Sequence, residues 1–80
     1  MNAHQVLREM GRINISQTTA VIVKETQHDD QPFVDLRLYF ADDNGDFKPT
    51  KKGLHLSRIK FLELLNDVLI PYVHQLIQKG

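Results

Sequence analysis

Apolar residues change their spacing at Ser57. Before it they mostly alternate with polar residues; after it they recur every three or four positions. Alternation marks a strand with one buried face, and the longer period marks a helix with an apolar stripe. Ile13 and Ile15 alternate with Arg12, Asn14 and Ser16, so a strand is expected from Gly11. Gln17-Thr18-Thr19 is a turn or a continuation of it. Ala20 to Lys24 is a β-branched run and predicts a second strand. Phe33 to Phe40 is the clearest strand: Val34, Leu36 and Leu38 are assigned to the core, while Asp35, Arg37 and Tyr39 face the other way. Gln27 to Pro32 is expected as a polar loop closed by proline. Asp42-Asp43-Asn44-Gly45-Asp46 contains Asn-Gly between two strands, a strong hairpin signal, and Phe47 to Leu56 is the returning strand. Pro49 cannot donate to a ladder, which predicts an edge, and Gly53 predicts a bulge. In residues 1–10, Val6, Leu7 and Met10 have helical spacing, so an irregular segment or short helix is expected there.

Ser57 suits a helix N-cap. Beyond it Ile59, Leu62, Leu65, Leu69, Val73 and Leu76 form one stripe, which Phe61, Leu64, Val68, Tyr72 and Ile77 widen. Pro71 should kink or break this helix near Leu69–Ile70. The predicted fold class is α+β: a four-stranded curved antiparallel sheet followed by one long C-terminal helix, in a single domain over 1–80. One small sheet covers only one stripe of a helix. The excess predicts a homodimer through the helices, with Phe61, Leu64, Leu65, Val68 and Tyr72 in the interface.

Composition narrows the function. Eighty residues bury a thin core, and small domains often gain stability by pairing with a copy of themselves. There is no cysteine, which excludes disulfides and thiolate metal sites. No stretch reaches the roughly 18 apolar residues of a membrane span, and Met1 to Gln5 lacks the basic-then-apolar pattern of a signal peptide. A cytoplasmic, nucleoid-associated location is expected, or a nuclear one in a eukaryote. His4, His28, His55 and His74 are too far apart in sequence for a helical metal pair. Counted from Asp42, the sixth residue of a calcium loop would be Phe47 rather than glycine, so the acidic turn is read as a solvated hairpin. No Cys nucleophile, phosphate-binding glycine loop or His-Glu motif is present, and Ser16 and Ser57 lack a local base. Neither an enzyme nor a cofactor is expected.

Ten basic and ten acidic residues cancel, yet five of the ten cations lie between Lys48 and Lys60. Lys48, Lys51 and Lys52 stand across a hairpin from Arg37, Tyr39 and Phe40. Cations on an exposed sheet neutralise phosphates, and an aromatic beside them offers a face on which an unpaired base stacks. Bases paired in a duplex are unavailable for that, so the combination favours single strands. Lysines and a proline equally serve to protect a solvated edge strand from aggregation.

The stretch Val34–Leu56 resembles the signature of the Positive Cofactor Four family of transcriptional coactivators, in a compact bacterial or phage-type form. The resemblance rests on Asp35-Leu36-Arg37-Leu38-Tyr39-Phe40, the acidic turn, Lys48-Pro49, the basic pair Lys51-Lys52, and Gly53 opening the alternation Leu54-His55-Leu56. It runs without a gap over about a quarter of the chain, and Gly11-Arg12-Ile13 is similar to the family's first strand. The resemblance implies a homodimer whose curved sheets bind single-stranded DNA, with RNA as a second possibility, in transcription regulation or in replication and repair. It implies contacts to the transcription or replication machinery. By position it implies nucleic-acid contacts at Arg37, Phe40, Lys48, Pro49, Lys51 and Lys52, with Arg12 and Lys24 as further carry-overs. The alternative function is a protein-interaction module using the sheet edge or the helix. The chain departs from the family pattern at three places: Phe40 replaces a tryptophan, Thr50 replaces a glycine, and the hairpin over Thr26–Gln31 is acidic. Phe40 also shares its parity with Val34, Leu36 and Leu38. It can line one groove with Arg37 only if the strand twists or bulges after Leu38.

Overall fold

The computed structural model describes residues 4–79. Four strands, β1 (His4–Asn14), β2 (Thr19–His28), β3 (Gln31–Ala41) and β4 (Phe47–Ser57), form one antiparallel sheet in the order β1-β2-β3-β4. A C-terminal helix follows as α1 (Arg58–Leu64), a π turn (Leu65–Leu69) and α2 (Ile70–Lys79). The expected order of four strands and one helix is therefore present. No described helix is long and apolar enough to cross a membrane.

The N-terminal segment is a strand from His4, not a short helix. Its register against β2 slips between Val6 and Arg8 and again between Glu9 and Gly11. These bulges break the period of two, so Val6, Leu7 and Met10 acquire a spacing that imitates a helix. Residues 1–3 and Gly80, which the sequence reading included, lie outside the described residues.

The loop expected over Gln27–Pro32 is a two-residue turn. Gln27 and His28 pair with Pro32 and Gln31, leaving only Asp29 and Asp30, at φ of 51° and 67°, to reverse the chain. Left-handed backbone at both positions is the hairpin geometry matching strand twist, and aspartate tolerates it. The Asp42–Asp46 connection is the solvated turn expected. Asp42 Oδ1 accepts the Asn44 and Asp46 N–H groups at 2.9 and 3.0 Å, and Gly45 supplies the positive φ of 84°.

Buried side chains lie on the face opposite to the one assigned from sequence. Ala20, Ile22 and Tyr39 form the core, beside buried Thr26 and Asp35, with Phe47 packed against it. Val34, Leu36 and Leu38, on the other face, are half-buried. The sheet curls around the Tyr39 side: Arg12 on one edge strand reaches Phe47 on the other, its guanidinium 5.6 Å from the ring centroid. We call this face concave.

Ser57 caps the helix, its hydroxyl accepting the Lys60 N–H at 3.3 Å. Pro71 does not break the helix where expected. In an α-helix it would clash with the carbonyl of Asp67 and leave that carbonyl without a donor. The chain instead widens by one residue: the Ile70 N–H bonds to the Leu65 carbonyl, five residues back, and α2 continues.

Candidate nucleic-acid interface

The concave face holds a groove of about 770 Å³ lined by residues from all four strands, among them Lys24, Asp35, Arg37, Tyr39, Lys51 and His55. Its floor is set by strand parity. β2 and β3 pair without a slip from Thr19–Phe40 to His28–Gln31, so Ile22, Lys24, Arg37 and Tyr39 share one face.

Arg37 is held in place. Its Nε and Nη2 donate to the two carboxylate oxygens of Asp35 at 3.1 and 2.9 Å, and Nη1 donates to the Thr50 carbonyl at 3.0 Å. The fork is bidentate and mostly shielded, with 22% of the Arg37 side chain exposed. His55 Nδ1 lies 3.3 Å from Asp35 Oδ1. Burial pushes the Asp35 carboxyl up, but the hydrogen bonds from Arg37 and His55 and the guanidinium charge outweigh it and hold it below its ordinary value. The same hydrogen bond raises Arg37 above its own. Arg37 thus contributes little net charge to the groove.

The other sequence-predicted cations divide into paired and unpaired. Arg12 is bound by Glu9 at 3.1 Å, and Lys48 stands 4.0 Å from Asp42. Lys24, Lys51 and Lys52 form no close ion pair among the described residues, although Lys24, the register partner of Glu9, adds to the pull of Arg12 that lowers the Glu9 carboxyl. Lys24 Nζ sits 4.9 Å from the Tyr39 ring centroid, a cation–π contact within the groove.

The lysines of β4 ride on an irregularity. Arg37 pairs with Gly53 and Tyr39 with Pro49, so Thr50, Lys51 and Lys52 together oppose Leu38 alone. Gly53 is required here by close approach: a Cβ would lie 2.6 Å from the Leu36 carbonyl oxygen. The bulge expected at Gly53 is thus present just before it.

Phe40 is not brought together with Arg37. β3 does not slip after Leu38, so Phe40 stands on the convex face, paired with Lys48 and 52% exposed. Tyr39 occupies the groove floor instead, at 5% exposure. Sequence reasoning missed further groove residues: Asp35, Thr50 and His55, whose ring stacks face to face on Phe33 with centroids 4.7 Å apart and planes at 8°. The Asp35-x-Arg37 spacing, which puts opposite charges on one face of a strand, was the available signal for the ion pair. The stack joins strands at a diagonal, which only the register reveals. Among the described residues no cluster of His, Asp or Glu could hold a metal ion.

Of the residues expected at a helix–helix interface, Phe61, Leu64 and Leu65 are partly covered within the protomer, while Val68 and Tyr72 are exposed.

Two solved structures resemble this fold, the orthorhombic and tetragonal crystal forms of a PC4 homologue from Burkholderia pseudomallei. Their TM-scores are 0.71 and 0.72; both are 22% identical to this chain, covering 81% of it and 88% and 96% of their own chains. No curated protein matches by sequence. The sequence pattern of the family described as Transcriptional Coactivator p15 (PC4) spans residues 13–66, from the end of β1 to the start of the π turn, and includes Lys24, Asp35, Arg37, Tyr39, Lys51 and His55 of the groove. The chain belongs to the PC4 family of transcriptional coactivators.

Proposed function

We propose that this chain binds single-stranded nucleic acid, DNA in the first instance, as a homodimer acting in transcription regulation or in replication and repair. The family is one of non-enzymatic, DNA-binding coactivators. The observation that carries the finer reading is a curved groove floored by Tyr39 and lined by Lys24 and Lys51, with Lys52 next to Lys51 on the β4 bulge. In this reading those lysines neutralise the backbone within the groove. Pro49, Lys48 and Phe40 meet the strand where it leaves across the edge of β4, and Arg12 flanks the closed end beside Phe47. Arg37 acts chiefly through the geometry it imposes.

The dimer rests on the apolar residues that the protomer leaves in water, among them Ile59, Val68, Tyr72, Leu76 and Ile77. So many large apolar side chains left exposed on one helix are unusual for a soluble monomer. The same residues are what favours the alternative, a protein-interaction module; a second copy is the simpler occupant, because a two-fold axis makes the contact self-complementary.

The test is titration of oligo-dT beside duplex of equal length at several salt concentrations. Three phosphates neutralised on a single strand give a log–log slope of about 2, at roughly 0.7 each. Lys52→Glu should weaken all sequences about equally. A flat salt response, or equal affinity for duplex, would refute the assignment.

A further inference from the structure

The bulge that carries Lys51 and Lys52 is pinned at both ends, and its pins are unusual for a basic loop on an edge strand. The Thr50 hydroxyl donates to the Leu38 carbonyl at 2.8 Å, taking the place of the ladder donor that the bulge removes. The same oxygen accepts the Lys52 N–H at 3.1 Å. The Thr50 carbonyl accepts from Arg37 Nη1 at 3.0 Å, and Arg37 is itself clamped by Asp35. At the far end Gly53 lies against the backbone of Leu36 and Arg37. Three consecutive residues opposite one would otherwise be free to move, and ordering them at the moment of binding would cost affinity.

We infer that Thr50 is a positioning residue: its hydroxyl locks the β4 bulge so that Lys52 is set for an anionic backbone before it arrives, with Arg37 as the second anchor. The inference rests on the proposed function, since it names how that groove is prepared. It assigns Thr50 no contact with the ligand. Its single O–H donor is already spent on the Leu38 carbonyl, and a phosphate oxygen offers no donor to its remaining lone pair. It acts through the backbone N–H of Lys52, which makes Lys52 the residue through which its effect must pass.

The experiment is a mutant cycle on the full chain with oligo-dT as the probe. Thr50→Val keeps the shape and removes both hydrogen bonds; Thr50→Ser keeps the hydroxyl. Thr50→Val should weaken binding roughly 3- to 10-fold, the equivalent of one hydrogen bond, with an unchanged salt slope because the same phosphates are neutralised once bound. Thr50→Ser should bind as the wild type does. In a Lys52→Ala background Thr50→Val should add no further loss, whereas Lys52→Ala alone should lower the slope by about 0.7. Circular dichroism confirms that each variant is folded. Additive losses from Thr50→Val and Lys52→Ala would overturn the inference, because they would mean that Thr50 acts independently of the lysine. A wild type that binds while Thr50→Val binds equally well removes this inference alone. A wild type that does not bind oligo-dT removes the functional reading, and this one with it.

Discussion

The concave face of the sheet buries polar groups and, the Thr26 hydroxyl apart, matches them; the convex face and its helix leave apolar groups in water. On the first, Asp35 and Arg37 neutralise one another while Tyr39 lies beneath the Lys24 ammonium. On the second, helix residues as apolar as Ile77 remain 71% exposed. A buried charge is tolerable once paired and hydrogen-bonded, whereas an exposed apolar surface has no remedy within the protomer. The Asp35 and Arg37 charges of the concave face are thus satisfied within one chain. The apolar residues of the helix are not covered by it.

The largest effect should come from breaking the convex side. In a lone protomer Val68 is 54% exposed, so Val68→Asp would change little. In a helix-paired dimer the same change buries an unpaired carboxylate and should cost about 3 kcal/mol or more. Leu65→Asp should act likewise, and both should lower DNA binding without touching DNA. Melting should depend on protein concentration. Sedimentation at low micromolar concentration is decisive: a folded 9.3 kDa species that still binds oligo-dT would contradict the pairing.

Neighbouring aromatics on the two faces sharpen the contrast next. Tyr39→Ala empties the concave core and should cost about 3–5 kcal/mol of stability. Phe40→Ala, on the exposed convex side, should leave melting nearly unchanged. If Phe40 receives a base at the edge of β4, the same variant should lose about 1–3 kcal/mol of single-strand binding. Thermal melts and oligo-dT titrations of both variants separate the two roles; a Phe40→Ala chain that melts far below wild type would break the assignment of faces.

The smallest effect concerns the ion pair. Asp35 is held below its ordinary pKa in the folded chain, so it stabilises the fold above the ordinary aspartate range. That contribution is lost as pH falls from about 4 through the lower folded value. Asp35→Asn should reduce stability at neutral pH by about 1–3 kcal/mol, the cost of leaving Arg37 poorly matched. It should also flatten the acid limb of a melting-temperature profile. An unchanged limb would show that Asp35 is not the group responsible.

Much of this architecture was legible. β3 and β4 announced themselves by alternation, and Ser57 and Asn44-Gly45 by their capping and turn chemistry. Three features were not, each for a physical reason. Bulges disguised β1 by breaking its period. The choice of buried face was reversed because apolar character marks what a residue needs covered, not what one chain manages to cover: Val34, Leu36 and Leu38 are half-buried, while Asp35 is buried because Arg37 satisfies it. The candidate groove was half legible. Its cations could be picked out, but not which of them carboxylates had already neutralised, because pairing depends on register. Phe40 shows the value of parity, which had already set it apart from Arg37 and which the unbroken β2–β3 register upholds.

The π turn before Pro71 does more than accommodate a proline. Each α-helical residue advances the helix by about 100°, so one extra residue sets everything beyond it roughly 100° out of phase with what precedes it. The apolar stripe, continuous on paper from Ile59 to Leu76, is in space two stripes pointing in different directions. Residues from α1 can then turn toward their own sheet while Tyr72, Val73, Leu76 and Ile77 aim elsewhere. A single proline thus works as a phase shifter, letting one short helix address two surfaces at once.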